Sequence, residues 1–327
     1  MKAVRIHGHG GPEQLVYEDA PKPIPQRGEA LVRVMAAGVT PTELSWSAAY
    51  STRDNVNRLP AIPGHEFSGV VEAMGPGVTD VNVGQEVYAL ADFWRDGSDA
   101  EYIVIAASDL APKPRTLDFT QAAAVPLSAL TAWQGLFDHA RLASGQKVLI
   151  QGAAGGVGSF AVQLAKWRQA YVIGTASPDN LAFLRTIGAD ETIDYTTVRF
   201  EDVVRDVDVD VDAVLDTVGG HTLQRSWSVV RPGGVIVTTA GEISEAQAAE
   251  YRVRGVSFIV KPSRQQLTTI QELIDHGVIR PVVSAVFPLA RAREAFEHGL
   301  AGHMRGKLVL SIQPRQEQAQ QRERVST

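Results

Sequence analysis

The stretch Lys147-Val148-Leu149-Ile150-Gln151-Gly152-Ala153-Ala154-Gly155-Gly156-Val157-Gly158 decides the fold of this 327-residue chain. An apolar strand pattern runs into a turn in which Gly152, Gly155 and Gly158 are three residues apart, and an amphipathic helical pattern follows. Glycine lets a backbone approach a phosphate, and a helix N-terminus adds a partial positive charge. The stretch predicts a pyrophosphate cradle, so a dinucleotide is the first hypothesis. A tight strand-to-helix connection without a ligand is the alternative.

Short β-branched runs alternate with helical patterns after this turn. The runs are continuously apolar, which is typical of parallel strands covered by helices on both faces. Strands are predicted at 170–175, 191–193, 211–216 and 234–239, and helices at 179–187 and 223–230. The pattern predicts an α/β fold with a Rossmann doubly wound parallel sheet.

The sequence on either side has a different character. Before the turn, strand-like runs at 30–36, 69–73 and 101–105 are separated by prolines and glycines, which indicates an irregular β-rich domain. After the α/β part, a strand at 281–287, a helix at 290–300 and a strand at 306–312 are predicted. Residues 313–327 are polar and lack an apolar stripe, so they are predicted to be a disordered tail.

Composition limits the classes of partner. The chain is 44% hydrophobic with a net charge of −6, which argues against nucleic acid as a partner. No apolar run approaches the roughly 20 residues of a membrane span, and the N-terminus begins with a strand pattern instead of a signal peptide. The expected location is cytoplasmic. The chain has no cysteine, which excludes disulfides, thiol nucleophiles and thiolate metal sites.

Short motifs are spread from residue 11 to residue 310. They are Gly11-Pro12-Glu13, Ala36-Ala37-Gly38-Val39-Thr40-Pro41, Pro63-Gly64-His65-Glu66-Phe67-Ser68-Gly69-Val70-Val71, Gly84-Gln85-Glu86-Val87-Tyr88, the stretches 123–133 and 184–190, and Gly306-Lys307-Leu308-Val309-Leu310. With the glycine turn, they resemble the medium-chain dehydrogenase/reductase superfamily, on the side of the zinc-free quinone oxidoreductases. The resemblance implies a GroES-like substrate domain over 1–122, completed by about 282–312, and a Rossmann domain over 123–281. It also implies an active-site cleft between them and a homodimer.

The zinc alcohol dehydrogenases share this framework, so the metal ligands need a separate test. Thr40 stands where the resemblance places the first ligand of the catalytic zinc, and only His65, with Glu66 beside it, remains from the ligand pattern. One imidazole and one carboxylate bind zinc weakly. The sequence therefore predicts no zinc site, and it predicts that His65 is a structural group whose ring hydrogen-bonds within the substrate domain.

Without a metal Lewis acid, oxidation of an unactivated alcohol has no usual means of stabilising the alkoxide. Reduction of a quinone or an α,β-unsaturated carbonyl compound does not meet this difficulty, because hydrogen bonds can hold the enolate. The candidate catalytic residues are Thr40, where relatives commonly carry Asn, and Tyr50, near a Tyr of some relatives. An exposed loop Tyr without a chemical role is the alternative for Tyr50. Trp46 is predicted to form a wall of the pocket.

The second strand of the α/β domain bears on the choice of cofactor. NAD sites usually have an Asp or Glu at its end, which binds the ribose 2′-OH. Ser177 stands there in this chain and leaves room for a 2′-phosphate. The resemblance adds Tyr195 and Asn180 as 2′-phosphate contacts. A basic residue next to Ser177 is missing, and Arg185 lies too far along the helix, so NADPH is favoured over NADH without a cationic clamp.

The remaining predicted cofactor contacts follow from the strand ends and from the resemblance. They are Gly155, Gly156 and Val157 at the glycine turn, Val218, Ala240 and Gly241 after two later strands, and Thr131 and Lys307 by resemblance. For Arg305, a phosphate contact and simple solvation stay equal alternatives.

These observations together predict a function. The chain is expected to be an NADPH-dependent, zinc-independent reductase of quinones or activated double bonds, with a small-molecule carbonyl or quinone substrate. A zinc-independent NADPH aldehyde or ketone reductase is the second possibility. A non-catalytic NADPH-binding protein is the third.

Overall fold

The structure is a computed structural model that describes residues 1–206, 210–302 and 304–312. Its strands are β1 (Lys2–Ile6), β2 (Leu15–Asp19), β3 (Glu29–Val39), β4 (Glu66–Met74), β5 (Glu86–Leu90), β6 (Tyr102–Ala106), β7 (Ala111–Pro112), β8 (Lys147–Gln151), β9 (Tyr171–Ala176), β10 (Glu191–Asp194), β11 (Val211–Asp216), β12 (Val230–Thr238), β13 (Arg254–Ser257), β14 (Val283–Pro288) and β15 (Lys307–Ser311). Its helices are α1 (Phe119–Ala123), α2 (Pro126–Trp133), α3 (Gly156–Trp167), α4 (Pro178–Thr186), α5 (Phe200–Asp206), α6 (Gly220–Ser226), α7 (Glu245–Tyr251), α8 (Arg264–Asp275) and α9 (Ala292–Leu300).

Six parallel strands form the sheet of the nucleotide-binding half, in the order β10-β9-β8-β11-β12-β13. The order reverses between β8 and β11, which places a crevice at the carboxyl ends of these strands. Val148 and Ile150 of β8 point into one apolar core and Leu149 into another. Because helices cover both faces, the three central residues of β8, Val148, Leu149 and Ile150, are all apolar. The predicted Rossmann fold is confirmed.

The second sheet combines the two ends of the chain. Its order is β14-β15-β3-β4-β5-β7, with β6 also paired to β3. β15 runs antiparallel to β3, with Leu308 opposite Val39 and Leu310 opposite Ala37. Leu308 and Leu310 are fully buried, so the last described strand is part of the core of the first domain. This is the predicted β-rich GroES-like domain. The exact boundaries 1–122 and 123–281 stay predictions.

Two details differ from the sequence-based expectations. The helix predicted at 223–230 begins at Gly220 and ends at Ser226, and one 3-10 turn then leads to β12. β12 begins at Val230 and not at the predicted residue 234, because Val230 pairs with Val211 across a bulge. The predicted tail at 313–327 lies outside the described residues. In the described ranges no helix is long and apolar enough to cross a bilayer.

Candidate active site

The glycine turn places a helix N-terminus at the carboxyl end of β8. Gly152 has a φ of +70°, which favours glycine, and a Cβ on Gly158 would lie 2.3 Å from the Gly152 carbonyl oxygen. A Cβ on Gly155 would meet nothing closer than 3.4 Å. Gly155, Gly156 and Val157 are half-exposed at the start of α3. Gly152 and Gly158 therefore serve the backbone path, whereas Gly155 leaves open space where a phosphate would approach.

Side chains hold this turn to its neighbouring strands. The Thr175 hydroxyl donates to Gln151 Oε1 at 2.8 Å and accepts from the Gly152 N–H at 3.2 Å. The Thr217 hydroxyl donates to the Gln151 carbonyl at 2.8 Å. Gln151 and Thr175 were not among the predicted site residues, although both are polar residues at the ends of two buried strands.

Asp216 organises the next part of the same edge. Its fully buried carboxylate accepts from the N–H groups of Val218 at 3.2 Å and Gly219 at 3.0 Å, and from the Thr238 hydroxyl at 2.7 Å. Thr238 Oγ1 also accepts from the Ala240 N–H at 3.1 Å. The predicted contacts Val218 and Ala240, with Gly241 after them, thus lie exposed along one edge of the sheet. Asp216 was also missed.

The N-terminus of α4 carries the predicted 2′-phosphate residues. Asn180 Nδ2 donates to Ser177 Oγ at 3.1 Å. Arg305 Nε donates to Asn180 Oδ1 at 3.0 Å, and its Nη2 donates to the Asp179 carbonyl at 3.0 Å. No basic residue stands next to Ser177 in the sequence, but the fold brings Arg305 onto Asp179 and Asn180, the latter a hydrogen-bond partner of Ser177. Arg305 comes from the C-terminal segment, 128 positions along the chain, so a local search around Ser177 did not find it.

Tyr195 is joined to the residue before Ser177 through its backbone, since its N–H donates to the Ala176 carbonyl at 3.4 Å. Tyr195 follows β10 and is half-exposed. The Arg305 guanidinium lies 4.7 Å from the centroid of the Phe183 ring on α4. Arg185 lies on the same helix and is exposed.

Lys307 lies where the two domains meet. Its buried Nζ lies 2.6 Å from Glu66 Oε1 and donates to the Val39 carbonyl at 2.7 Å and to Thr40 Oγ1 at 3.1 Å. Glu66 is fully buried, and its Oε2 accepts from the Leu127 N–H of α2 at 2.9 Å. The structure thus brings the predicted residues Thr40 and Lys307 together. It adds Glu66 as the carboxylate between them and α2.

The start of β15 also contacts the glycine turn. The Gly306 N–H donates to the Ala154 carbonyl at 2.9 Å. A Cβ on Gly156 would lie 2.8 Å from Lys307 Cδ and 2.9 Å from Ser128 Oγ. The Lys307 side chain therefore lies between the glycine turn and Thr40, at the predicted cleft.

Two predicted site residues have hydroxyls that are already bonded. The Thr131 hydroxyl donates to the Leu127 carbonyl of its own helix at 2.6 Å. The Tyr50 hydroxyl donates to the Leu44 carbonyl, and its ring stacks on His9 with centroids 4.1 Å apart. Tyr50 is buried, unlike the exposed loop residue that was the alternative. This environment favours a structural role, and the catalytic role of Tyr50 stays a prediction.

A buried polar cluster lies beside Thr40. Glu43 belongs to the 3-10 turn Pro41–Ser45, and its Oε2 lies 3.3 Å from His65 Nε2 and accepts from the Gly64 N–H at 3.3 Å. Asp99 is fully buried nearby, and neither of its carboxylate oxygens has a hydrogen-bond partner among the described residues. The His65 ring contacts Glu43 through Nε2, whereas its Nδ1 has no hydrogen-bond partner among the described residues; the predicted structural role of His65 stays a prediction.

Desolvation changes the protonation of all three groups. Burial, helped by the charge of Arg58, lowers the pKa of His65 to about 3, so the imidazole is neutral. Burial raises the pKa of Asp99 to about 7. Burial, and then the neighbouring Asp99, raise the pKa of Glu43 well above its usual range. The cluster therefore favours neutral over charged forms.

His65 of this cluster and the adjacent Glu66 are the residues that remain from the zinc-ligand pattern. Over residues 1–206, 210–302 and 304–312, no group of three or more His, Cys, Asp or Glu side chains is arranged to hold a metal ion. Glu66, the carboxylate next to His65, is bound to the Lys307 ammonium. Two features do not suit a zinc site. The Lys307 cation lies beside the Glu66 carboxylate, and Thr40 stands in place of a thiolate ligand.

Comparison with known proteins agrees with this architecture. Residues 26–115 match the family described as alcohol dehydrogenase GroES-like domain, and residues 187–310 match the family described as zinc-binding dehydrogenase. The chain is 33% identical over 326 residues to the mitochondrial NAD(P)H oxidoreductase RTN4IP1 of Homo sapiens, across 87% of this chain and 82% of that protein.

Two further similarities bear on the type of chemistry. The chain is 33% identical over 322 residues to the chloroplastic NADPH-dependent alkenal/one oxidoreductase of Arabidopsis thaliana, across 95% of this chain and 79% of that protein. The solved quinone oxidoreductase from Coxiella burnetii has a TM-score of 0.88 and 32% identity, across 96% and 99% of the two chains. The chain therefore belongs to the medium-chain dehydrogenase/reductase superfamily, and it is an oxidoreductase similar to proteins named quinone oxidoreductase and NAD(P)H oxidoreductase.

Proposed function

We propose that this protein uses NADPH to reduce quinones or α,β-unsaturated carbonyl compounds, and that it does so without zinc. The observation that carries the proposal is the buried contact of Lys307 with Glu66 and Thr40, beside the glycine turn. In this contact the three N–H groups of the Lys307 ammonium are taken up by Glu66, Val39 and Thr40, so Thr40 is the residue that would donate to a substrate oxygen.

Different residues of the cleft would contact the cofactor and the substrate. Gly155, Gly156 and Val157 at the start of α3 would hold the pyrophosphate, and Val218 and Ala240 would line the path toward the nicotinamide. When bound, the nicotinamide supplies a hydride. Because Lys307 donates to Thr40 Oγ1, the Thr40 proton stays free to point away from Lys307. Thr40 can therefore donate to the carbonyl oxygen on which negative charge develops.

Zinc independence is tested by activity with and without a chelator. Purified protein is assayed for NADPH oxidation with 1,4-benzoquinone, 2-cyclohexenone and a simple aldehyde, before and after dialysis against EDTA. We expect turnover of the first two substrates to be unchanged by EDTA. Loss of activity that added zinc restores would contradict the proposal.

The preference for NADPH is supported by Ser177 at the end of β9 and by Arg305, whose guanidinium lies on Asn180. An acid at position 177 would repel a 2′-phosphate and accept from a 2′-OH. We expect Ser177→Asp to shift the ratio of kcat/KM values toward NADH. An unchanged ratio would count against Ser177 as the discriminating residue.

The descriptions of both matched families favour an alcohol dehydrogenase-like second candidate, an NADPH aldehyde or ketone reductase. Thr40 would hold the substrate oxygen in that case as well. The aldehyde in the same assay distinguishes the two. Tight NADPH binding with no turnover of any compound would favour the third possibility, a non-catalytic NADPH-binding protein.

A homodimer is proposed through β13. This strand ends the six-stranded sheet, and within the described residues its outer edge has no partner strand. Ile259, two positions beyond it, is 78% exposed. Light scattering of the wild type and of Ile259→Glu tests this, because a charge at a shared edge would shift a dimer toward monomer. The cytoplasmic location stays a prediction, since relatives include mitochondrial and chloroplastic proteins.

A further inference from the structure

One hydroxyl beside the glycine turn has no protein partner. Ser128 is the third residue of α2 and is 1% exposed, yet its hydroxyl forms no hydrogen bond within the described residues. A buried polar group without a partner is costly, so such groups are rare in folded proteins and call for an explanation. The Ser128 hydroxyl is therefore a candidate to bind a ligand.

The surroundings place this hydroxyl at the N-terminus of α3. A Cβ on Gly156, the first residue of α3, would lie 2.9 Å from Ser128 Oγ. Gly156 and the preceding Gly155 are half-exposed. Unlike the carboxylate oxygens of Asp99, which are fully enclosed, the unpartnered Ser128 Oγ keeps a small part of its surface open. Ser128 therefore borders the turn whose helix N-terminus suits a phosphate.

The neighbouring lysine leaves this position without a free cation. A Cβ on Gly156 would lie 2.8 Å from Lys307 Cδ, so Lys307 presents its methylene groups here. Its ammonium is bound to Glu66, to the Val39 carbonyl and to Thr40. A phosphate at this point would therefore be held by neutral N–H and O–H donors, and each donor contributes a larger share of the binding.

A second hydroxyl of α2 is already committed. Thr131 lies three residues after Ser128, so the two side chains share one face of the helix. The Thr131 hydroxyl donates its one hydrogen to the Leu127 carbonyl at 2.6 Å. An ionised phosphate only accepts hydrogen bonds, and it requires a hydroxyl whose hydrogen is free. Of the two hydroxyls, Ser128 meets this requirement.

We propose that the Ser128 hydroxyl donates to a phosphate oxygen of the cofactor's diphosphate, so that α2 as well as the glycine turn holds the dinucleotide. This rests on the proposed function, since the ligand is the cofactor of that reaction. The contact is with the diphosphate, which NADPH and NADH share. Ser128 therefore sets the affinity for both cofactors and not the preference between them.

Fragments of the cofactor test the contact without turnover. NADPH is titrated by fluorescence, and 2′-phospho-ADP-ribose and 2′-AMP are titrated by calorimetry, against the wild type and Ser128→Ala. We expect about tenfold weaker binding of NADPH and of 2′-phospho-ADP-ribose in the variant, because both contain the diphosphate. Binding of 2′-AMP, which lacks it, should not change. Unchanged NADPH affinity, or a loss that extends to 2′-AMP, would overturn the proposal.

A second substitution separates the hydrogen bond from packing. Ser128→Cys keeps nearly the same size but supplies only a weak donor. We expect it to weaken NADPH binding nearly as much as Ser128→Ala does. Full affinity in Ser128→Cys together with a loss in Ser128→Ala would show that the filled volume matters, and it would overturn the role of Ser128 as a donor.

A matched control separates cofactor binding from folding. Ser68 is also fully buried, but its hydroxyl donates to the Phe119 carbonyl. We expect Ser68→Ala to lower the melting temperature without ligand and to leave NADPH affinity unchanged. Ser128→Ala should do the opposite, and NADPH should raise its melting temperature less than that of the wild type. Equal losses of melting temperature without ligand in the two variants would assign Ser128 a structural role and overturn the proposal.

Turnover distinguishes this inference from the proposed function. We expect Ser128→Ala to raise the KM for NADPH by about the same factor as the dissociation constant. A wild type that reduces enones or quinones while Ser128→Ala keeps full NADPH affinity would overturn the role of Ser128 alone. A wild type that binds NADPH but reduces neither class of compound would overturn the proposed function, and weaker binding by Ser128→Ala would still support the contact with the diphosphate.

Discussion

The glycine turn and the buried polar cluster are the two polar regions of the cleft, and they are built in opposite ways. The turn, residues 151–158, presents backbone at a half-exposed helix N-terminus. The cluster is taken here together with the ion pair beside it, so that it comprises the side chains of Glu43, His65, Asp99, Glu66 and Lys307, all nine-tenths or more buried. The turn is contiguous in sequence, whereas the five residues of the cluster come from four separate parts of the chain.

This difference determines what each region can tolerate. A backbone site uses N–H groups that a helix start leaves free, so it needs only space and a turn. The cluster holds three carboxyls and one ammonium away from water. Because Lys307 is paired with Glu66, Glu43 and Asp99 are left to carry protons, which agrees with their raised pKa values. Removing either Glu66 or Lys307 would therefore leave the charge of the other buried without a partner, which would destabilise the fold.

The largest effect is expected from removing the one cation of the cluster. Lys307→Met leaves Glu66 buried without a partner, and breaking such a pair costs about 3–5 kcal/mol. We expect this loss of unfolding free energy in urea titration, together with loss of NADPH oxidation. The double variant Glu66→Gln/Lys307→Met should recover most of the stability. Lys166→Met, which breaks the partly exposed pair with Asp190, should cost under about 1 kcal/mol. Equal losses for the two lysines would contradict the argument.

The second-largest effect is expected on the pH dependence of stability, because Asp99 binds a proton more tightly in the folded protein than in the unfolded chain. Asp99 has a pKa of about 7 in the folded protein and near 3.8 when unfolded. Between these values the folded state binds more protons than the unfolded state, so stability must fall as pH rises through this window. Asp99→Asn should abolish that part of the decline. We expect a difference of about 1–3 kcal/mol between unfolding free energies at pH 5 and pH 8 that is present in the wild type and absent in the variant. The exposed Asp54→Asn should behave as wild type; a parallel decline in Asp99→Asn would show that Asp99 is not the titrating group.

Substitutions at two positions of the glycine turn should separate an effect on packing from an effect on ligand binding. A Cβ on Gly158 would lie 2.3 Å from the Gly152 carbonyl, whereas one on Gly155 would lie 3.4 Å from it. We expect Gly158→Ala to lower the unfolding free energy by about 1–3 kcal/mol, since it forces a packed helix from its strand. Gly155→Ala should leave stability nearly unchanged but weaken NADPH binding, because its side chain occupies the phosphate space. Thermal melting and NADPH fluorescence titration measure the two effects. Loss of stability without loss of binding in Gly155→Ala would contradict the assignment of the cradle.

The sequence predicted the turn well because its information is local. Strand, turn and helix are consecutive, so the end of β8 and the start of α3 could be predicted from spacing alone, whereas the cofactor contacts of Gly155 and Gly156 stay predictions. The cluster was only partly predicted. The sequence predicts site roles for Thr40 and Lys307, but it shows Glu66 only as a weak zinc ligand and gives Glu43 no role of its own. Their role depends on which charges the fold brings together, and β15 joins β3 across 268 positions of the chain between Val39 and Lys307.

Arg305 lies two positions before Lys307 of the cluster, and its substitution is expected to give the smallest and most specific effect. Its guanidinium donates to Asn180 Oδ1 and to the Asp179 carbonyl, beside Ser177. If it also binds the 2′-phosphate, Arg305→Gln should lower kcat/KM for NADPH about tenfold or more, because a hydrogen bond to a charged group contributes about 1.5–3 kcal/mol, and it should leave NADH unaffected. Arg185→Gln, on the exposed side of α4, should change neither value.

An equal loss for both cofactors would have a different meaning. It would make Arg305 a strut that holds the C-terminal segment against α4, with no part in discrimination. The ratio of the two kcat/KM values therefore decides between the two roles of Arg305. Thermal melting adds a check, since a strut lowers the melting temperature of the protein without ligand, whereas a phosphate contact affects stability chiefly when NADPH is present.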